Sequence, residues 1–227
     1  MTKHRMKVKA LLIDLDGTIV NITEPCIEAA KEATSTLRFQ KIDVKIGLEI
    51  PKKLQSNLPL DETFAKFGID KSMGKEFLKA FLDAWYTIVT VESTALPKVH
   101  KTLRKLSKHF QLALITRRNM SKELIKRELK RLGLTQYFKL IMTSQDVEKP
   151  KPSPLAFVKA ANHLNVSIHD CAVVGDSIVD IQAAKSAGAK TIAVLSGLSS
   201  REELEAENPD LIIENISTLS QHLLESR

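Results

Sequence analysis

The chain has 227 residues, 43% hydrophobic and 27% charged, with 34 Lys or Arg against 27 Asp or Glu for a formal charge of +7. These proportions exclude disordered and collagen-like chains, and no apolar run approaches the roughly 20 residues that cross a bilayer. Cys26 and Cys171 lie far apart and form neither a disulfide framework nor a zinc spacing. Residues 1–9 are basic but lead straight to a short apolar run with no signal-peptide core, so the expected compartment is the cytoplasm. The length suits one large domain or a core with a smaller insert.

The first element is Ala10-Leu11-Leu12-Ile13, an apolar run without polar alternation that predicts a strand buried on both faces of a parallel sheet. It leads into Asp14-Leu15-Asp16-Gly17-Thr18. An extended strand would send both carboxylates to one side, where ionising both is costly unless a cation lies between them. Gly17 permits a sharp exit and Thr18 brings a hydroxyl to the turn. Alone, such a stretch is also explained by a polar turn after a strand.

The next segment is helical. Residues 24–37 read as a helix with Thr23 as its cap. The pattern breaks into a loop around 46–51, a short helix at 60–67 stops at Gly68, and a longer helix covers 72–90. Phe77, Phe81, Trp85 and Ile88 recur at helical spacing in that last helix and read as core. With no strand pattern among them, these residues form a helical insert.

From Pro97 the pattern alternates regularly. Helices are predicted at 98–109, 121–132, 154–164, 178–187 and 201–206, with a last one closing the chain. Strands are predicted at 111–115, 140–142, 171–174, 191–195 and 211–213. Repeated strand–helix units imply an α/β fold, a parallel sheet with helices on both faces and a ligand site beyond the carboxyl ends of the strands. Residues 98–131 hold 12 Lys or Arg against two Glu, a net of +10 that leaves the remainder near −3. Amphipathic helices with a solvated basic face account for this excess, and no base-stacking aromatics are interleaved, so nucleic acid is not an expected partner.

Four strand ends carry chemistry. Asp14 and Asp16 end the first. Thr116 ends the second, where its hydroxyl and the Arg117 amide can bind a phosphoryl oxygen. Lys149-Pro150-Lys151-Pro152 holds two restrained lysines, either a charge clamp or a Pro-rich surface loop. Asp176 ends a buried strand and Asp180 lies one helical turn on. With Asp14 these offer the oxygen ligands Mg²⁺ requires.

Taken together, Asp14-Leu15-Asp16-Gly17-Thr18, Thr116 and Gly175-Asp176-Ser177 through Asp180 to Ala187-Gly188 resemble the motifs of the haloacid dehalogenase superfamily, in its phosphoglycolate phosphatase-like branch. The resemblance implies a Rossmann-like core of residues 1–20 and 97–227 with a small α-helical cap of residues 21–96. It implies an enzyme, a Mg²⁺-dependent phosphatase acting on a small phosphate monoester such as a phosphoglycolate-like or sugar phosphate. Asp14 would be the nucleophile that becomes an aspartyl-phosphate, and Asp16 the acid–base. Thr116 and a lysine would hold the phosphoryl oxygens. The lysine is Lys151, because Lys151-Pro-Ser-Pro keeps the family's distance to the following helix end. Gly17, Thr18 and Arg117 join the substrate-binding set, and the metal set is Asp14, the Asp16 carbonyl, Asp176 and Asp180.

Four positions depart from the family pattern. Asn21 replaces Asp, Lys98 and Asn165 each replace Gly, and Arg117 replaces Asn, adding a cation suited to a second anionic group on the substrate. Asp16 and Asp176 argue against a dehalogenase. A phosphonatase would need a cap lysine, for which Lys45, Lys52 and Lys53 qualify only by position. A phosphosugar mutase shares all the core motifs, and a non-catalytic binding protein with a basic surface is the alternative of another class.

Overall fold

A computed structural model describes residues 6–39, 41–55 and 58–224. Residues 1–5, part of the basic stretch 1–9, lie outside this set, as do 225–227. The chain divides into two compact units, one of residues 1–20 with 94–227 and one of residues 21–93. The second crossing falls at 93/94 rather than 96/97. Ala95 bridges Val20, and the Leu96 amide donates to the Ile19 carbonyl at 3.0 Å, so this strip belongs with the first unit.

After strand β1 (Ala10–Ile13) comes the helical unit: α1 (Thr23–Thr36), α2 (Ile46–Gln55), α3 (Asp61–Lys66) and α4 (Gly74–Glu92). Phe77, Phe81 and Ile88 of α4 are buried against Ala29, Ala30 and Ala33 of α1 and Ile46 and Ile50 of α2. Phe39 and Phe64 meet Phe77 edge-on, with centroids 6.0 and 6.2 Å away. Trp85 lies only partly buried at the margin of this cluster.

Two local expectations are corrected here. Thr23 is the first helical residue rather than the cap, and its amide donates to Asn21 Oδ1 at 3.0 Å, so Asn21 supplies the capping oxygen. The loop expected at 46–51 is helix α2, which runs through Pro51. Proline removes one helical hydrogen bond, to the Gly47 carbonyl, but Gly47 lets α2 press against α1, where an added Cβ would lie 2.1 Å from the Cys26 carbonyl oxygen. Burial of Ile46 and Ile50 then outweighs the lost bond.

The first unit continues with α5 (Val99–Leu106), β2 (Gln111–Ile115), α6 (Lys122–Arg131), β3 (Leu140–Met142), α7 (Leu155–His163) and β4 (Cys171–Gly175). It ends with α8 (Ile178–Ala187), β5 (Lys190–Val194), α9 (Arg201–Ala206), β6 (Leu211–Ile213) and α10 (Leu219–Leu224). The six strands are parallel in the order β3-β2-β1-β4-β5-β6. All four β1 residues are fully buried. Ala10 and Leu12 join one face's core with Phe157 and Ala160 of α7 and Ala183 and Ala184 of α8. By strand alternation Leu11 and Ile13 serve the other face. Lys98, at the start of α5, and Asn165, just past α7, both take left-handed backbone, φ 65° and 54°, the conformation for which glycine is best suited.

Chain order reverses at β1: β2 and β3 extend one way and β4 to β6 the other. With Ile13 opposite Leu114 on one side and Val174 on the other, the ends of β1, β2 and β4 open together. A ligand crevice is expected at such a reversal. No helix among the described residues is long and apolar enough to cross a membrane. Replacing Gly47 with Ala is expected to cost about 2 kcal/mol of stability by overpacking the α1–α2 contact. Urea unfolding measures this, and an unchanged midpoint would show that the close approach does not seat α2.

Candidate active site

β1 ends at Ile13, but its pairing continues for one residue, since the Asp14 amide donates to the Val174 carbonyl at 2.9 Å. The chain then folds into a turn rather than extending through Asp16, so the two aspartates do not share one strand face. Gly17 has φ 76°; its amide donates to the Val20 carbonyl at 2.9 Å, and its carbonyl accepts the Ser196 hydroxyl at 2.6 Å. A Cβ there would lie 2.6 Å from Asp176 Oδ2. Gly17, expected in the substrate-binding set, therefore shapes the turn around Asp176, and its amide and carbonyl are both bonded within the protein.

Thr18, expected in the substrate-binding set, faces the same carboxylate. It is fully buried, and its hydroxyl donates to Asp176 Oδ1 at 3.3 Å. The Leu198 amide donates to Asp176 Oδ2 at 3.3 Å. Asp176 is thus held between the first turn and the loop after β5. Sequence reasoning missed Ser196 and Leu198, although Ser196-Gly197 directly after a buried strand was the available signal.

Asp14, Asp176 and Asp180 are all buried, and each has a carboxylate oxygen within 4.8 Å of the others'. Lys151 lies among them. Its Nζ donates to Asp14 Oδ1 at 2.5 Å, to Asp180 Oδ1 at 2.6 Å and to the Ile115 carbonyl at 3.0 Å. Lys149 is exposed. The structure therefore brings Lys151, not its neighbour, to the aspartates. Asp180 Oδ2 accepts the Ser177 hydroxyl at 2.5 Å and the Ser177 amide at 3.3 Å, which closes the first turn of α8. Both Asp180 oxygens are thus engaged within the protein.

Burial raises the Asp14 carboxyl to about 7, with Lys151 pulling it down and Asp180 and Asp16 pushing it up. Asp176 stands well above the ordinary carboxylate range, through burial and then the charges of Asp14 and Asp180. For Lys151, burial disfavours the ammonium, but Asp14 and Asp180 outweigh it and hold the group above its usual value. With one lysine between them, the three buried carboxyl groups cannot all ionise cheaply without a further cation. Their oxygen-only donor set fits a hard divalent cation such as Mg²⁺.

At the end of β2, Thr116 is buried and its amide donates to the Met142 carbonyl at 3.0 Å. Its hydroxyl oxygen accepts from the Arg118 amide at 3.2 Å. Arg117 is half-buried; burial lowers its guanidinium, while the charges of Asp180 and Asp14 act in the opposite direction. Sequence reasoning missed Arg118. Its Nε donates to Asp16 Oδ2 at 2.8 Å, its Nη2 to Asp16 Oδ1 at 2.6 Å and its Nη1 to Glu128 of α6. The signal was a second arginine directly after a strand end, and a Glu on the apolar side of a largely basic helix.

A family model described as haloacid dehalogenase-like hydrolase matches residues 11–194. The chain is 29% identical over 218 residues to pyrophosphatase PpaX of Bacillus cereus, spanning 94% of this chain and 95% of that protein. Its fold is similar to that of a haloacid dehalogenase-like family hydrolase from Streptococcus pneumoniae, with TM-score 0.76 and 20% identity over 94% of this chain and 97% of the other. It is also similar to a structure described as a predicted phosphoglycolate phosphatase from Haemophilus somnus, with TM-score 0.74 and 20% identity over 95% and 97% of the two chains.

Replacing Lys151 with Met strands Asp14 and Asp180 without their cation. The expected cost is about 3–5 kcal/mol of stability in urea unfolding. Lys149→Met, on the surface, is expected to change little. Equal effects of the two substitutions would contradict the assignment of Lys151 to the buried cluster.

Proposed function

The chain belongs to the haloacid dehalogenase-like hydrolases, and on that premise we propose that it is a Mg²⁺-dependent phosphatase that cleaves a small phosphate monoester through an aspartyl-phosphate on Asp14. The observation that carries this reading is the Asp14 carboxylate itself. It is buried beyond the central strand, bonded to Lys151 at 2.5 Å and grouped with two further carboxylates.

An Asp14 oxygen attacks phosphorus while the bond from phosphorus to the ester oxygen breaks, and Asp16 gives the departing oxygen its proton. Water then attacks the aspartyl-phosphate, Asp16 takes a proton from that water, and phosphate leaves with Asp14 restored. A bound phosphoryl oxygen takes over one of the three Lys151 donors, and Thr116 donates its hydroxyl to another, which holds the group in line. Asp14, the Asp16 carbonyl and Asp176 would hold Mg²⁺. When bound, the ion offsets the repulsion between an anionic phosphate and an anionic nucleophile. Asp180, which pairs with Lys151 at 2.6 Å and closes the first turn of α8, serves mainly to order Lys151.

Arg117 extends the specificity. A half-buried guanidinium under the influence of Asp14 and Asp180 suits a second anionic group, and the likeness to a pyrophosphatase supports a substrate of that kind. The helical unit of residues 21–93 is the cap that selects the remainder of the substrate, and the buried thiols of Cys26 and Cys171 accord with a reducing cytoplasm. Hydrolysis of an aryl phosphate should require added Mg²⁺ and stop on chelation. Asp14→Asn should lower kcat by a factor of about 10⁴ or more, as expected when a nucleophile is lost. Turnover by the Asn variant at the wild-type rate would overturn this reading.

A further inference from the structure

We propose that Arg118, anchored by Glu128, is the positioning residue for Asp16. The proposal rests on the reading of Asp16 as the acid–base group.

The geometry fixes this arginine from three directions. Its amide donates to Thr116 Oγ1 at 3.2 Å, and its carbonyl accepts the Ser144 hydroxyl at 3.2 Å and the Ser144 amide at 3.3 Å. The main chain is therefore tied to the ends of β2 and β3. The guanidinium is planar, so the Nη1 bond to Glu128 sets the plane in which the other two donors point. Those donors meet both oxygens of Asp16, at 2.8 and 2.6 Å, in the two-pronged arrangement that best restrains a carboxylate.

Burial is graded along the triad. The Glu128 side chain is 0% exposed, that of Arg118 2% and that of Asp16 13%. The anchor is fully buried, and the clamped group is the most exposed of the three. A buried carboxylate–arginine–carboxylate triad is a poor way to gain stability, since apolar side chains of similar volume do as well or better. Its orientation points to function, because the exposed end is the residue that handles the proton of the departing oxygen. Arg118 exchanges no atoms in the reaction. When the bond from phosphorus to the leaving oxygen breaks, the electron pair stays on that oxygen and the proton comes from Asp16.

The test follows from that proton. An alkoxide leaving group needs it, whereas a nitrophenolate departs readily without it. kcat/KM reports steps up to leaving-group departure and excludes the later hydrolysis common to all esters. Arg118→Lys keeps the charge but loses the fork, and Glu128→Gln keeps the shape but weakens the anchor. Both are expected to lower kcat/KM for an alkyl phosphate by roughly 10- to 100-fold while leaving nitrophenyl phosphate little changed. Asp16→Asn should show the same discrimination more strongly. Thermal melts confirm that each variant is folded, and Glu128→Gln carries the test if Arg118→Lys is not. Equal losses on both esters, or no loss on either, overturn the positioning role if Asp16→Asn discriminates. An Asp16→Asn variant that treats both esters alike overturns the acid–base reading beneath it.

Discussion

One buried ammonium holds the reactive end of this molecule together. Lys151 Nζ has three donors and spends them on Asp14 beyond β1, the Ile115 carbonyl of β2 and Asp180 of α8. Each of those groups would be unstable where it stands without a partner, and each belongs to a different element. The lysine therefore fixes the ends of two central strands and the start of a helix relative to one another. It also leaves the carboxylate cluster short of positive charge, the condition that a divalent cation and an incoming phosphoryl group would exploit.

The two aspartates of the first turn are sorted by separate cations. Asp14 is paired with a point charge that can also grip phosphate oxygens, whereas Asp16 is paired with a planar fork that restrains its orientation. In the proposed mechanism Asp14, as the nucleophile, needs help with repulsion, and Asp16, as the proton carrier, needs a set direction. Both cations derive from the parallel sheet, Arg118 from the exit of β2 and Lys151 from the loop that precedes α7. The reversal of strand order at β1 gathers those exits at one edge.

Much of this was legible in the sequence because it depends on local patterns. The run Ala10–Ile13 has no reason to be so apolar unless both faces are covered, and it is the central strand. Gln111–Ile115, Leu140–Met142 and Ile178–Ala187 fall at the expected bounds for similar reasons. What escaped depends on distant partners. α2 exists despite Pro51 because Gly47 meets Cys26 on another helix, a contact that no local propensity encodes. Thr18 looked like a group free for a ligand, yet a carboxylate 158 positions later takes its hydroxyl. Arg118 lay beside the residue chosen as the site cation. Only the fold reveals that 117 is half-buried near Asp14 while 118 turns inward between Asp16 and Glu128.

The central claim is that Asp14 becomes covalently phosphorylated. The most direct measurement is to mix the protein with a substrate phosphate ester and Mg²⁺, quench in acid within a turnover, and map the phosphorylated residue by peptide mass spectrometry. An acid-stable, hydroxylamine-labile phosphoryl group on Asp14, absent in Asp14→Asn, is the predicted result. Steady hydrolysis with no label at Asp14, or with the label on another residue, would contradict the account.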